Sequence, residues 1–206
     1  MCYSASVSFI TFVIGILIAY QLSLRNNRND RWIALFIVSF ILMQLLEGVM
    51  WLYKDKGLTV PKIMSYLVII TLVCQPLAQI YGLLSSENKL TDNMRLFFKL
   101  GFCLLVILGL IVSLNIIPKN ILVGKCGHLD WNLTFKNKNY WIIFSVIYLL
   151  FLIFPLFFIE PKWRGIILAL YSILSAFWIA YVYGAKEFSS MWCFVAIIFG
   201  LIAFCT

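Results

Sequence analysis

Four residues of this chain have side chains suited to soft-metal or thiol chemistry: Cys2, Cys126, His128 and Cys193. His128 is the only histidine, and it follows Cys126 by two positions in Cys126-Gly127-His128-Leu129-Asp130-Trp131. Two chemistries fit the set. In an oxidising compartment Cys126 pairs with Cys2 or Cys193 in a disulfide that pins its segment. With reduced thiols, the same groups are a donor set for zinc or copper, or a thiol nucleophile with an imidazole partner. Removal of Met1 adds the free amine of Cys2 as a further chelating group. Cys74 and Cys103 fall inside apolar runs and read as small hydrophobes.

A second candidate is an acid. Glu47 sits within a long apolar run, about 9 Å by helical rise from the end of its span. That is deep for a short side chain. Gln44 and Trp51, at i−3 and i+4, share its helical face. A carboxylate in that position either faces a wet cavity and binds a ligand, or is protonated and hydrogen-bonded between helices. The other ionisable group inside a span, Lys99, lies near its helix end and reaches the surface by its own length. Further along, Cys74-Gln75-Pro76 is followed one turn later by Gln79. Pro76 has no amide to offer the Leu72 carbonyl, so a kink beside Gln75 is expected. Pro155 predicts a similar kink with no polar companion.

The elements that must position these groups follow from composition. Of 206 residues, 64% are hydrophobic and 12% charged, and mean hydropathy is +1.01. Soluble domains are about half apolar and a quarter charged, which excludes an ordinary water-soluble core. A bilayer crossing takes about 20 apolar residues. Apolar runs near 6–24, 32–53, 62–84, 96–117, 140–159, 165–184 and 189–205 predict an all-α integral membrane bundle of seven transmembrane helices in one domain over 1–206. Strict alternation, which a barrel needs, is absent. The first run lacks the basic segment and cleavage site of a signal peptide.

The net charge of +8 does not form a stripe or tail. It is spread over the connections, so the expected partner is the lipid bilayer and not nucleic acid. Lys and Arg divide equally between the two ends of a seven-span bundle, eight and eight. All five Arg (Arg25, Arg28, Arg31, Arg95, Arg164) share one end, in short connections. The longest connection, Pro118–Asn139, lies at the other end with the sequon Asn132-Leu133-Thr134. The expected orientation is N-terminus out and C-terminus in. Ser172, Ala176, Ala180 and Gly184 make a small-residue stripe that suits close packing in the bundle or in a homo-oligomer. Trp51, Trp131, Trp141, Trp163 and Trp192 fall near span ends, as an interfacial belt does. Trp32 and Trp163 each open the middle helix of a triplet, a weak likeness between spans one to three and five to seven.

Met1-Cys2-Tyr3-Ser4-Ala5, Met43-Gln44-Leu45-Leu46-Glu47, Gln75-Pro76 and Met191-Trp192-Cys193-Phe194 together resemble a family of small multi-pass membrane proteins whose members begin Met-Cys-Trp-Ser-Ala. Tyr3 replaces the usual Trp. The resemblance extends over the whole chain and groups Cys2, Glu47, Gln75, His128 and Cys193 as one site. It implies no activity.

Several functions are excluded. No lysine lies in the last span for a retinal Schiff base. One histidine is too few for a multi-histidine zinc hydrolase, and neither a potassium-type filter nor a Gly-x-Ser-x-Gly, Walker or His-Glu-x-x-His motif occurs. Three classes remain. The first is binding or transport of a small ligand or ion through an outward-facing vestibule, with Glu47, Gln44, Gln75, Trp51 and Trp131 as binding groups. The second is a membrane enzyme built on Cys2, Cys126, His128 and Cys193. The third is a structural protein with a stapled loop. Kinked spans and a buried acid favour the first.

Overall fold

The computed structural model describes residues 4–54, 59–117, 119, 122–123, 129–131 and 133–206, with the side chains of 59, 61 and 183–194 outside the description. Its elements are six α-helices and a small β ribbon: α1 (Ala5–Arg25), α2 (Asp30–Tyr53), α3 (Thr59–Ser85), α4 (Asp92–Asn115), β1 (Ile116–Ile117), β2 (Leu122–Val123), β3 (Leu129–Asp130), β4 (Thr134–Phe135), α5 (Lys138–Ile153) and α6 (Lys162–Cys205). Among the described residues six helices are long and apolar enough to cross a membrane. The seventh expected run corresponds to a shorter apolar arm, Val195–Cys205.

That arm belongs to the same helical element as Lys162. A straight helix of its length would put Arg164 and Ala203 about 58 Å apart. Instead Arg164 Nη2 donates to the Ala203 carbonyl at 2.6 Å, and the Tyr171 hydroxyl donates to the Val195 carbonyl at 3.2 Å. The chain therefore folds back between Val182 and Val195, and the two arms of α6 run antiparallel. This places the two apolar arms where the sequence predicts two runs.

Helix α2 is the core of the bundle. Its apolar window is 67% buried against 28% for α1, because it packs on α1, α3 and α6 at once. A helix that is apolar all round has this fate. On α1 the buried positions are Ser8, Thr11, Gly15, Ala19 and Leu22, a stripe of mostly small residues at helical spacing. It lets α1 approach α2 closely. A Cβ at Gly15 would come within 2.4 Å of Ile41.

One end of the bundle carries the five Arg and a polar knot that the sequence did not reveal. Asp30 is wholly buried at the start of α2. Its carboxylate accepts from Arg25 Nε at 2.7 Å and Nη2 at 3.0 Å, from Arg164 Nη2 at 2.8 Å, and from the Asn27 amide at 3.1 Å. The surplus cationic charge meets the last-turn carbonyls of α6: Arg25 donates to Ala203 at 3.1 Å and to Phe204, and Arg164 also reaches Ala203. Helix C-termini present carbonyls without intrahelical partners and carry partial negative charge, so two guanidinium groups cap this one. At the same end Asn29 joins three connections, donating to the Glu160 carbonyl at 2.9 Å and accepting from Asn88 Nδ2 at 2.9 Å.

The other end carries the ribbon. The long connection is not the plain loop expected from sequence. Ile116 and Ile117 pair antiparallel with Phe135 and Thr134, and Leu122 and Val123 pair with Asp130 and Leu129. Leu129 and Trp131 are buried, which roots the ribbon in the bundle.

Candidate functional site

Under the ribbon lies the acid. Glu47 and Gln44 are both fully buried, one helical turn apart on α2. Trp131 Nε1 donates to Glu47 Oε1 at 3.1 Å. The indole is only 5% exposed, so it is a seal on the carboxylate and not part of an interfacial belt, which corrects the reading of this tryptophan as a belt residue. Trp51 is half-buried one turn nearer the end, with the Lys54 ammonium 4.9 Å above its ring. Of the expected binding groups, Glu47, Gln44 and Trp131 thus lie at one end of the bundle, with Trp51 one turn nearer that end of α2.

Gln75 stands elsewhere. Trp32 Nε1 donates to Gln79 Oε1 at 2.7 Å, and the Trp32 ring fills the space at Gly82, which fixes the register of α2 against α3. In that antiparallel register Gln75 lies opposite the segment near Phe36 to Ser39, about 12–16 Å along α2 from Glu47. The two residues occupy different depths and do not form a single first contact layer around one ligand. Gln75 is buried and accepts from the Tyr148 hydroxyl of α5. Its Nε2 has no hydrogen-bond partner among the described residues.

Gln79, one turn on, connects three helices. Besides accepting from Trp32, it donates from Nε2 to the Leu152 carbonyl of α5 at 3.2 Å. The reason is in α5. After Ile153 the chain tightens into a 3-10 turn, Phe154–Phe158, where Pro155 has no N–H to offer the carbonyl three residues back. The side chain of Gln79 serves that carbonyl. Pro155 therefore has a polar companion, supplied by another helix, contrary to the sequence expectation. Pro76 is buried inside α3, which continues helical through it to Ser85.

Cys2, Cys126 and His128 lie outside the described residues, as does the side chain of Cys193. Cys126 and His128 belong to the five-residue segment that joins the paired Val123 and Leu129. Among the described residues no three His, Cys, Asp or Glu side chains gather as a metal site, so zinc or copper has no support from them. Cys74, Cys103 and Cys205 are free and exposed on the bundle exterior.

The remaining expectations divide. In the small-residue stripe, Ser172 is buried and lines a small cavity with Val195, Ala196 and Phe199 of the folded-back arm, while Ala176 is half-buried, Ala180 is exposed and Gly184 lies outside the description of side chains. The stripe's first part therefore serves the chain's own arm. Trp32 is buried and hydrogen-bonded whereas Trp163 is 51% exposed, so the likeness between the two triplets does not extend to these residues. Sequence reasoning missed Asp30, Tyr148 and Leu152. Asp30 is hidden among charged and Asn residues in Arg25-Asn26-Asn27-Arg28-Asn29-Asp30-Arg31. The other two have no signal beyond their apolar run.

Chemically, the ribbon end holds a buried carboxylate, already bonded to an indole N–H, and a carboxamide one turn away. Such groups bind a cation, a proton or a polar ligand. The fold defines the chain as a bundle of apolar helices, six of them among the described residues long enough to cross a bilayer. Protein-family models, curated proteins and solved structures give no match to it.

Proposed function

We propose that the chain is an integral multi-pass membrane protein that binds or transports a small ligand or ion through a vestibule beneath the β ribbon, with Glu47 as the binding carboxylate. The observation that carries this reading is the complete burial of Glu47 with Trp131 of the ribbon on its Oε1. A carboxylate is costly in an apolar interior, and acids buried within membrane spans mark ligand, ion and proton routes. Gln44 one turn deeper, then Gln75 and Tyr148 farther in, supply polar steps along the route.

Seven crossings with the N-terminus out complete the proposal. The end of α1 at Arg25 and the end of the chain at Phe204 meet at the arginine end, which supports an odd number of passes. That end carries all the Arg and is assigned to the cytoplasm. The ribbon then faces outward.

Flux into proteoliposomes tests the reading. Protons and monovalent cations are followed with pH- and potential-sensitive dyes under an imposed gradient. Flux above that of protein-free liposomes, abolished in Glu47→Gln and partly kept in Glu47→Asp, is the expected result. Flux that Glu47→Gln leaves intact contradicts it.

A further inference from the structure

At the arginine end, about 25 Å along α2 from Glu47 by helical rise, the structure holds a cavity of about 630 Å³ between the start of α2 and the end of α3. Arg28 and Arg31 line it on one side with Asn26 and Asn27, and Glu87 lines the other. Its lower wall is Tyr81 and Leu35, exposed at 60% and 37% on the outer surface of the bundle. We propose that this groove binds a phosphodiester group, that of a glycerophospholipid headgroup, whose acyl chains descend along Leu35 and Tyr81.

Three observations converge on this ligand. The first is donor chemistry. Arg31 has no hydrogen bond or ion pair with another described residue, unlike Arg25 and Arg164, which are taken up by Asp30. Guanidinium is the side chain whose planar fork matches phosphate oxygens. The side-chain amides of Asn26 and Asn27 are likewise without a partner among the described residues and supply further donors.

Charge is the second. Arg28 is shared with Glu160 at 2.5 Å, and Glu87 stands across the groove. Two guanidinium groups thus meet two carboxylates, and a groove so close to neutral suits a singly charged phosphodiester better than a doubly charged phosphate monoester.

The third is preorganisation. Asn26 and Asn29 hold left-handed backbone angles, φ 50° and 70°, which Asn tolerates better than most residues. These turn the connection back sharply, and Asn29 ties it to the α3–α4 and α5–α6 connections. A wall fixed from three sides loses little freedom when a ligand binds. The position is also right for a lipid. Arg and Asn lie at the end of the span, and the apolar wall lies below them on the outside of the bundle, in the order of headgroup and chain.

Native mass spectrometry of the detergent-purified protein tests the proposal, with palmitoyl-oleoyl phosphatidylglycerol as probe. The acyl-free headgroup glycerophosphoglycerol and palmitoyl-oleoyl glycerol are run beside it. The expected result is saturable lipid binding, weakened about tenfold in Arg31→Ala, the size expected for a charge-assisted hydrogen bond. Arg95→Ala, at the same end but outside the groove, retains wild-type binding. Thermal unfolding of both variants checks that the fold persists, and Arg31→Glu gives a second, stronger change of the same sign. Competition by glycerophosphoglycerol at equal concentration overturns the lipid source in favour of a soluble phosphodiester. Binding of palmitoyl-oleoyl glycerol as tight as that of the phospholipid, or equal losses in Arg31→Ala and Arg95→Ala, overturns the site.

Discussion

Arg164 and Ala203 are 39 residues apart in a single helical element and are joined by a 2.6 Å hydrogen bond. The bond closes the fold-back of α6. It also places the last turn of the chain beside Asp30, where Arg25 and Arg164 share one carboxylate and one set of helix-end carbonyls. The arginine end is thus tied by charge, while the ribbon end holds its carboxylate beneath an indole.

The knot predicts a large loss on removal of its acid. Asp30→Ala leaves two guanidinium groups facing each other, one of them in a 3% exposed residue. Breaking such a pair costs about 3–5 kcal/mol. Thermal unfolding in detergent measures it. The fold-back should loosen with it, so a fluorescence distance reporter between Leu24→Cys, an exposed position outside the clamp, and Thr206→Cys in a background lacking the native cysteines should lengthen. A variant with wild-type stability and an unchanged distance contradicts the clamp.

Gln79→Leu removes the acceptor of Trp32 and the donor to Leu152. An expected loss of about 1–2 kcal/mol reflects two buried groups left to find other partners. In a Pro155→Ala background the restored amide serves the Leu152 carbonyl, and the same substitution should cost less. A double-mutant cycle reads the coupling. Strict additivity would separate Pro155 from Gln79.

Gly82→Ala puts a Cβ 1.9 Å from Trp32 Cδ1. The indole must leave Gln79, and overpacking of this kind costs about 1–3 kcal/mol. Trp32→Phe, already without the N–H, should make Gly82→Ala cheaper by relieving part of the clash. Unfolding temperatures of the two single variants and the double variant decide the point.

Much of this was legible in the sequence, and the reasons differ by residue. Apolar runs of about 20 residues and the charged connections between them marked the helices, since a bilayer crossing imposes that length. Glu47 stood out because an acid is rare in such a run. The ribbon was not legible: each strand is two residues long, too short for an alternating pattern. Asp30 reads as part of a polar connection, and only the fold-back of α6 brings Arg164 to it. Gln75 and Glu47 look like neighbours as polar residues of adjacent spans, but the Trp32–Gln79 contact sets a register that separates them. The Gln79–Leu152 bond joins residues 73 apart and depends on a proline three residues beyond Leu152, so no local pattern announces it.

Trp131→Phe keeps an aromatic ring at the seal and removes its N–H from Glu47. Access to the carboxylate should rise, and a water-soluble carbodiimide should modify Glu47 several-fold faster, read by peptide mass after digestion. Equal rates in wild type and variant contradict the seal.

The most direct test of the central claim, that Glu47 receives the ligand, is thermal unfolding of the detergent-purified protein against a panel of alkali cations, alkaline-earth cations and primary amines. At least one cationic species is expected to stabilise the wild type in a saturable manner. That stabilisation vanishes in Glu47→Gln and persists in Glu87→Gln, whose carboxylate is at the opposite end. Stabilisation that survives in Glu47→Gln, or none by any member of the panel, contradicts the account and leaves Glu47 as a packing contact for Trp131.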